Sequence, residues 1–161
     1  MKIRWLFLLA LLTYILETSV FQMVRISGVM PNVSLVLVVT FCVVFGRREG
    51  MILGAFSGLL TDLFVTKVLG INFMLYLLIA WVIGSLEDSI FKDNFLTPIV
   101  LTAVSTIVYQ AIYLGIFFLF RSPFDDTRLF MIVGIEIVLN AIVGVFLYGW
   151  LFKRQYGYGL R

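Results

Sequence analysis

Residues 31–64 read PNVSLVLVVTFCVVFGRREGMILGAFSGLLTDLF, and the fold is decided there. An apolar run from Val33 to Phe45 meets a basic turn, Gly46-Arg47-Arg48-Glu49, and a second apolar run follows at once. The apolar residues are continuous rather than alternating at every second position, which excludes the strands of a membrane barrel. Where lipid is the solvent, the helix is then the remaining way to satisfy the backbone. In the second run Gly50, Gly54 and Gly58 recur every four residues, in phase with Gly46. This spacing places a strip without side chains along one helix face. Another helix can approach such a strip closely, and in lipid it is packing that drives helix association. The approaching helix belongs either to this chain or to another protein.

The rest of the chain extends the pattern. Of its 161 residues 62% are hydrophobic and 13% charged, against about 45–50% and about 25% in soluble domains. A core of this size cannot hide so much apolar surface, so the surface faces lipid. Six segments can be drawn, at about 4–24, 29–45, 50–65, 68–86, 97–120 and 127–152. They predict an all-α, polytopic integral membrane protein, with six transmembrane helices in one bundle and a single domain over 1–161. Pro31 and Pro98 suit early helical positions. The second and third segments are short for a hydrocarbon core of ~30 Å. Met1-Lys2-Ile3-Arg4 has the charge pattern of a signal peptide. The run from Trp5 to Val24 lacks a small-residue cleavage site and is long enough to span, so it reads as a retained helix.

The net charge of +3 comes from basic residues that flank the apolar runs, a placement explained by topology and anionic lipid rather than nucleic acid. With the N-terminus in the cytoplasm, the inner side holds eight basic residues: Lys2, Arg4, Arg47, Arg48, Lys92, Lys153, Arg154 and Arg161. The outer side holds four: Arg25, Lys67, Arg121 and Arg128. That bias predicts cytoplasmic termini. The absence of histidine and the single cysteine, Cys42, exclude imidazole acid–base chemistry, Cys/His zinc sites and an intrachain disulfide.

Carboxylates in hydrocarbon cost ~2.5–3.5 kcal/mol on insertion scales, so each needs a reason. Glu17 lies beside a stripe of Tyr14, Thr18 and Gln22. Glu136 and Asn140 share a face that continues, in steps of four, to Gly144 and Tyr148. Either Glu17 and Glu136 border a polar cavity or ion path, or they are protonated, or hydrogen-bonded across helices, and fix packing. Asp62 reads as a helix-end group near the interface. Thr102, Ser105, Thr106, Tyr109, Gln110 and Tyr113 mark one face of the fifth segment, suited to a cavity or to interhelical hydrogen bonds. Trp5, Trp81 and Trp150 are candidate interfacial anchors, Trp81 lying deep in its segment. The chain carries no Gly-x-Ser-x-Gly elbow, phosphate loop or metal-ligand cluster, and neither an enzyme activity nor a cofactor is expected.

Pro31-Asn32, the turn Gly46-Arg47-Arg48-Glu49-Gly50, the run Gly54-Ala55-Phe56-Ser57-Gly58-Leu59-Leu60-Thr61-Asp62-Leu63 and then Leu69-Gly70 resemble the MreD family. Beyond Gly84 the match is in hydropathy alone. The resemblance implies a bacterial inner-membrane subunit of the Rod complex, or elongasome, working with the bitopic protein MreC. Through the complex it implies MreB filaments and the cell-wall synthases, a transpeptidase and a SEDS glycosyltransferase. It also implies a fold similar to the substrate-binding subunits of energy-coupling factor transporters. On this reading Gly50, Gly54, Gly58 and Gly70 are candidates for helix packing or the partner interface, and Asp62 pins the outer end of its helix. The rival reading is a vitamin transporter's substrate-binding subunit, holding its ligand near Glu17, Glu136 and Tyr109.

Overall fold

A computed structural model describes residues 3–23, 25–65, 69–86, 94, 96–119 and 126–157. Lys2, Lys67, Lys92, Arg121 and Arg161, counted above for orientation, lie outside the described residues, as do the segment ends at Val24, Val68 and Phe120. The elements are α1 (Ile3–Ser19), α2 (Val33–Phe45), α3 (Arg47–Phe64), α4 (Ile71–Ser85), α5 (Leu96–Leu119) and α6 (Asp126–Tyr156). Among the described residues the fold is all-helical, and the one extended pairing is an isolated bridge between Ile26 and Val29.

Helix α2 is the centre of the bundle. It is rich in valine, and β-branched residues in water favour strands over helices. Every residue from Val33 to Val44 is buried, and all five other helices touch it. Burial inside a helical shell, where the backbone must satisfy itself, overrides the propensity. Its thirteen residues span only ~20 Å at 1.5 Å each, and the other helices shield it on every side.

The connections set the geometry. Between α1 and α2, Ser27 and Gly28 have φ of 52° and 83°, the positive values of a primed hairpin turn. Ile26 and Val29 exchange two hydrogen bonds of 2.9 Å across it. This fold-back returns Val29–Asn32 to the bundle end. There Asn32 caps α2 by accepting from the Leu35 amide at 2.9 Å. Pro31 therefore precedes the cap instead of occupying the first turn as expected.

Helices α2 and α3 are joined by Gly46 alone, at φ 98°, a conformation that costs a glycine little. The chain reverses in one residue, so Arg47-Arg48-Glu49, expected as a turn, forms the first turn of α3, with Glu49 at the positive end of the helix dipole. Gly70, at φ 98°, likewise opens α4. The last helix continues past the expected end at 152, so Lys153 and Arg154 sit in its final turn, beside the negative end of its dipole.

By length and apolarity, α5 over Leu96–Ile116 and α6 over Phe130–Tyr156 are able to cross a membrane, while α2 and α4 are apolar but shorter. All of the helices α1, α3, α4, α5 and α6 expose large apolar side chains, among them Leu12, Leu63, Met74, Val104 and Phe146.

Candidate functional site

The glycine strip of α3 faces inward. A Cβ on Gly58 would lie 2.6 Å from the Phe73 Cα, and one on Gly54 would lie 3.1 Å from the Tyr76 carbonyl oxygen, both on the backbone of α4. A Cβ on Gly50 would run into Cys42 of α2. The strip is thus filled by helices of the same chain, which leaves it no room for a partner helix. Gly144 does the same for α5 and α6, where a Cβ would lie 2.6 Å from Thr102 Oγ1.

The helix ends brought together by these contacts carry the polar side chains. Asp62, near the end of α3, is 1% exposed. Its carboxylate accepts from the Gly70 amide (3.0 Å), the Asn72 amide (3.1 Å), Asn72 Nδ2 (2.9 Å) and the Phe73 amide (2.9 Å). Its donors lie at the start of α4, so Asp62 pins the next helix by answering amides that a helix N-terminus leaves unpaired. Asn72 in turn accepts from the Tyr109 hydroxyl at 2.6 Å, tying α4 to α5.

A second set of bonds holds the start of α2. The Ser34 hydroxyl and amide donate to Glu17 Oε2 at 2.5 and 3.3 Å. Asn140 Oδ1 accepts from the Asn32 amide at 2.7 Å, while its Nδ2 donates to Thr106 Oγ1 at 2.9 Å. The Tyr76 hydroxyl donates to Asn32 Oδ1 at 2.9 Å. Gln110 Nε2 donates to Glu136. Among the described residues, the one buried side-chain polar atom without a partner is the Ser57 hydroxyl.

Between these ties lies a cavity of about 280 Å³, whose lining includes Glu17, Asn32, Asn72, Tyr109, Gln110 and Glu136. It sits where α1 and α3 end and α2 and α4 begin. The opposite end carries Arg4, Arg47, Arg48, Lys153 and Arg154, all exposed. There Arg47 lies over Trp81 at 5.4 Å and Arg154 over Trp150 at 5.6 Å. Trp81 lies one turn from the end of α4.

The structure gathers Glu17, Glu136, Tyr109 and, one layer away, Asn140 around one cavity, and leaves Tyr14, Thr18 and Gln22 out of it. The last two have no partner across the bundle among the described residues; Thr18 bonds back to the Tyr14 carbonyl and Tyr14 packs on Phe64. The sequence reading missed Ser34, Asn72 and Tyr76. A lone polar residue in an apolar run was the available signal, because an unpaired polar group there is costly. With two carboxyls, three carboxamides and tyrosine hydroxyls, the site can hold protons, donate and accept hydrogen bonds, and attract positive charge. No group of three or more His, Cys, Asp or Glu side chains among the described residues could hold a metal.

No curated protein and no solved structure matches the chain. The family model described as rod shape-determining protein MreD matches residues 1–154. With nearly the whole chain covered, and a helical, apolar fold consistent with a bacterial inner-membrane protein, the chain belongs to the MreD family of rod shape-determining membrane proteins.

Proposed function

We propose that this chain is a non-enzymatic scaffold subunit of the Rod complex that spans the inner membrane six times with both termini in the cytoplasm. It holds the transmembrane helix of an MreC-like protein and, through the complex, supports peptidoglycan synthesis directed by MreB filaments. The observation that carries this reading is the family match over residues 1–154. Apolar side chains exposed around the bundle support lipid as its solvent. The cluster of arginines at one end supports that end as cytoplasmic.

With the glycine strip filled from within, the partner helix needs another face. A groove of about 740 Å³ runs between α4 and α5, lined by Met74, Leu78, Trp81, Ile112 and Ile116 among others. Its lining is almost wholly apolar, and methionines such as Met51 and Met74 adapt to a partner's shape. We assign the partner helix to this groove.

The test is a detergent pull-down of the tagged chain from its native membrane, with mass spectrometry of partners and bound small molecules. Recovery of an MreC-like protein with cell-wall synthases is the expected result. Recovery of an ATPase module with its coupling subunit, or of a stoichiometric vitamin, overturns the scaffold and assigns a transporter's substrate-binding subunit.

A further inference from the structure

The cavity between Glu17 and Glu136 has a one-sided chemistry. Its polar lining consists of two carboxyls, the Asn32, Asn72 and Gln110 carboxamides, the Thr61 hydroxyl and the tyrosine hydroxyls, and no lysine or arginine among the described residues lines it. Tyr76, Tyr109 and Tyr113 add aromatic surface, with the Tyr109 and Tyr113 rings stacked at 5.7 Å between centroids and 19° between planes.

The two glutamates are committed less fully than Asp62. Four donors converge on Asp62, whereas Glu17 takes both of its hydrogen bonds on one oxygen, Oε2, and from one residue. Buried carboxylates without a countercharge are costly, and among the described residues no cationic side chain lines the cavity to provide one. Carboxylates, carboxamide oxygens and aromatic faces together are the groups that recognise an organic ammonium ion. A bare divalent cation would take six or more oxygen ligands, and no three-carboxylate or mixed His/Cys cluster among the described residues supplies them. The volume of about 280 Å³ falls just under the ~300 Å³ lower bound for drug-sized ligands, so it suits a group of a few heavy atoms.

We propose that this cavity binds a primary ammonium group, carried either by a small free amine or by a zwitterionic lipid headgroup. Bound there, the cation supplies a countercharge and links α1, through Glu17, to α6, through Glu136. The inference goes beyond the scaffold reading and does not rest on MreC docking, so a failed pull-down and an empty cavity are separate outcomes.

The test uses the purified full chain in detergent, stripped of lipid, with thermal unfolding followed in ethanolammonium chloride, in ethylene glycol as its neutral counterpart, and in sodium chloride at equal ionic strength. At about 100-fold excess over Kd, ethanolammonium is expected to raise the midpoint by roughly 5 °C, with no such rise from ethylene glycol or sodium chloride. The paired substitution Glu17→Gln with Glu136→Gln keeps shape and hydrogen bonding, and is expected to abolish most of that rise. A second arm compares nanodiscs of phosphatidylethanolamine with nanodiscs of phosphatidylglycerol. A higher midpoint in phosphatidylethanolamine, lost in the paired variant, assigns the lipid headgroup, while a response to free ethanolammonium alone assigns a small amine. An equal response to ethylene glycol, no response in either arm, or an undiminished response in a folded paired variant overturns the proposal. If the paired variant does not fold, the wild-type comparison of ethanolammonium with ethylene glycol decides by itself.

Discussion

Four donors converge on the Asp62 carboxylate, three of them backbone amides at the start of α4. Those amides would otherwise be orphaned at a largely buried helix end, and the carboxylate also meets the positive end of the helix dipole. Asp62→Ala strands the donors and is expected to cost about 3–5 kcal/mol, read as a large fall in the thermal midpoint in detergent. An unchanged midpoint would remove the cap as a structural element. Asn140 offers a contrast, because its side chain joins α6 to the Asn32 amide and to Thr106 of α5 by one bond each. Interhelical hydrogen bonds in membranes average ~0.6 kcal/mol and reach ~1.7. Asn140→Leu, which keeps the branching and number of heavy atoms, is therefore expected to cost about 1–2 kcal/mol, clearly less than Asp62→Ala in the same melt. A reversed ranking would mean that the α2 cap, and not the α4 cap, holds this end of the bundle together.

Helix α3 shows how far spacing can be read and where it stops. Repetition every four residues is visible in a string of letters, so the strip of Gly50, Gly54 and Gly58 was legible, as was the inward face running through Glu136, Asn140, Gly144 and Tyr148. What fills the strip was not, because α2 and α4 reach it through turns whose direction depends on positive φ at Gly46 and Gly70. Asp62 was legible as a polar group needing a reason, but its donors are amides of the next helix, and backbone amides leave no mark on sequence. Asn72 broke an apolar run without any periodic companion and passed unnoticed. The start of α2 was misread because Pro31 signals a first turn, while the Asn32 cap two residues before Ser34 outweighs it. The contacts also rank the glycines. Alanine at Gly58 would press its Cβ on α4 backbone at 2.6 Å, whereas at Gly54 the nearest atom is at 3.1 Å. Gly58→Ala is thus expected to destabilise by about 1–3 kcal/mol, and Gly54→Ala by less, measured side by side by thermal unfolding. Equal and negligible effects would show that α3 and α4 can separate without penalty.

Across the whole molecule the two ends differ in kind. One gathers carboxyls and carboxamides around a cavity; the other presents exposed Arg4, Arg47, Arg48, Lys153 and Arg154 beside Trp81 and Trp150. Anionic lipid and the insertion bias both favour the basic end on the cytoplasmic side, with the tryptophans at headgroup level. A reporter active only in the cytoplasm is therefore expected to work when fused at the C-terminus, and one active only outside is expected to fail; the opposite pattern inverts the topology. On the proposed scaffold reading, a partner helix sits between the ends, in the groove of α4 and α5. Met74 and Leu78, one turn apart on α4, line it and are 66% and 47% exposed, so enlarging them fills the groove without crowding the core. Met74→Trp with Leu78→Trp is expected to leave the thermal midpoint near that of the parent, since exposed substitutions usually fall within about 0.5 kcal/mol. Recovery of the MreC-like partner in a pull-down is expected to drop at least tenfold, which corresponds to about 1.4 kcal/mol of lost binding. The control is Leu8→Trp with Leu12→Trp on α1, equally exposed at 50% and 54% and outside the groove. Bulk added there changes the lipid-facing surface to the same degree, so loss of partner in both pairs would indicate a general effect on the membrane-embedded chain. Loss in the α4 pair alone locates the partner helix against α4 and α5, and retention in both removes the groove from the interface.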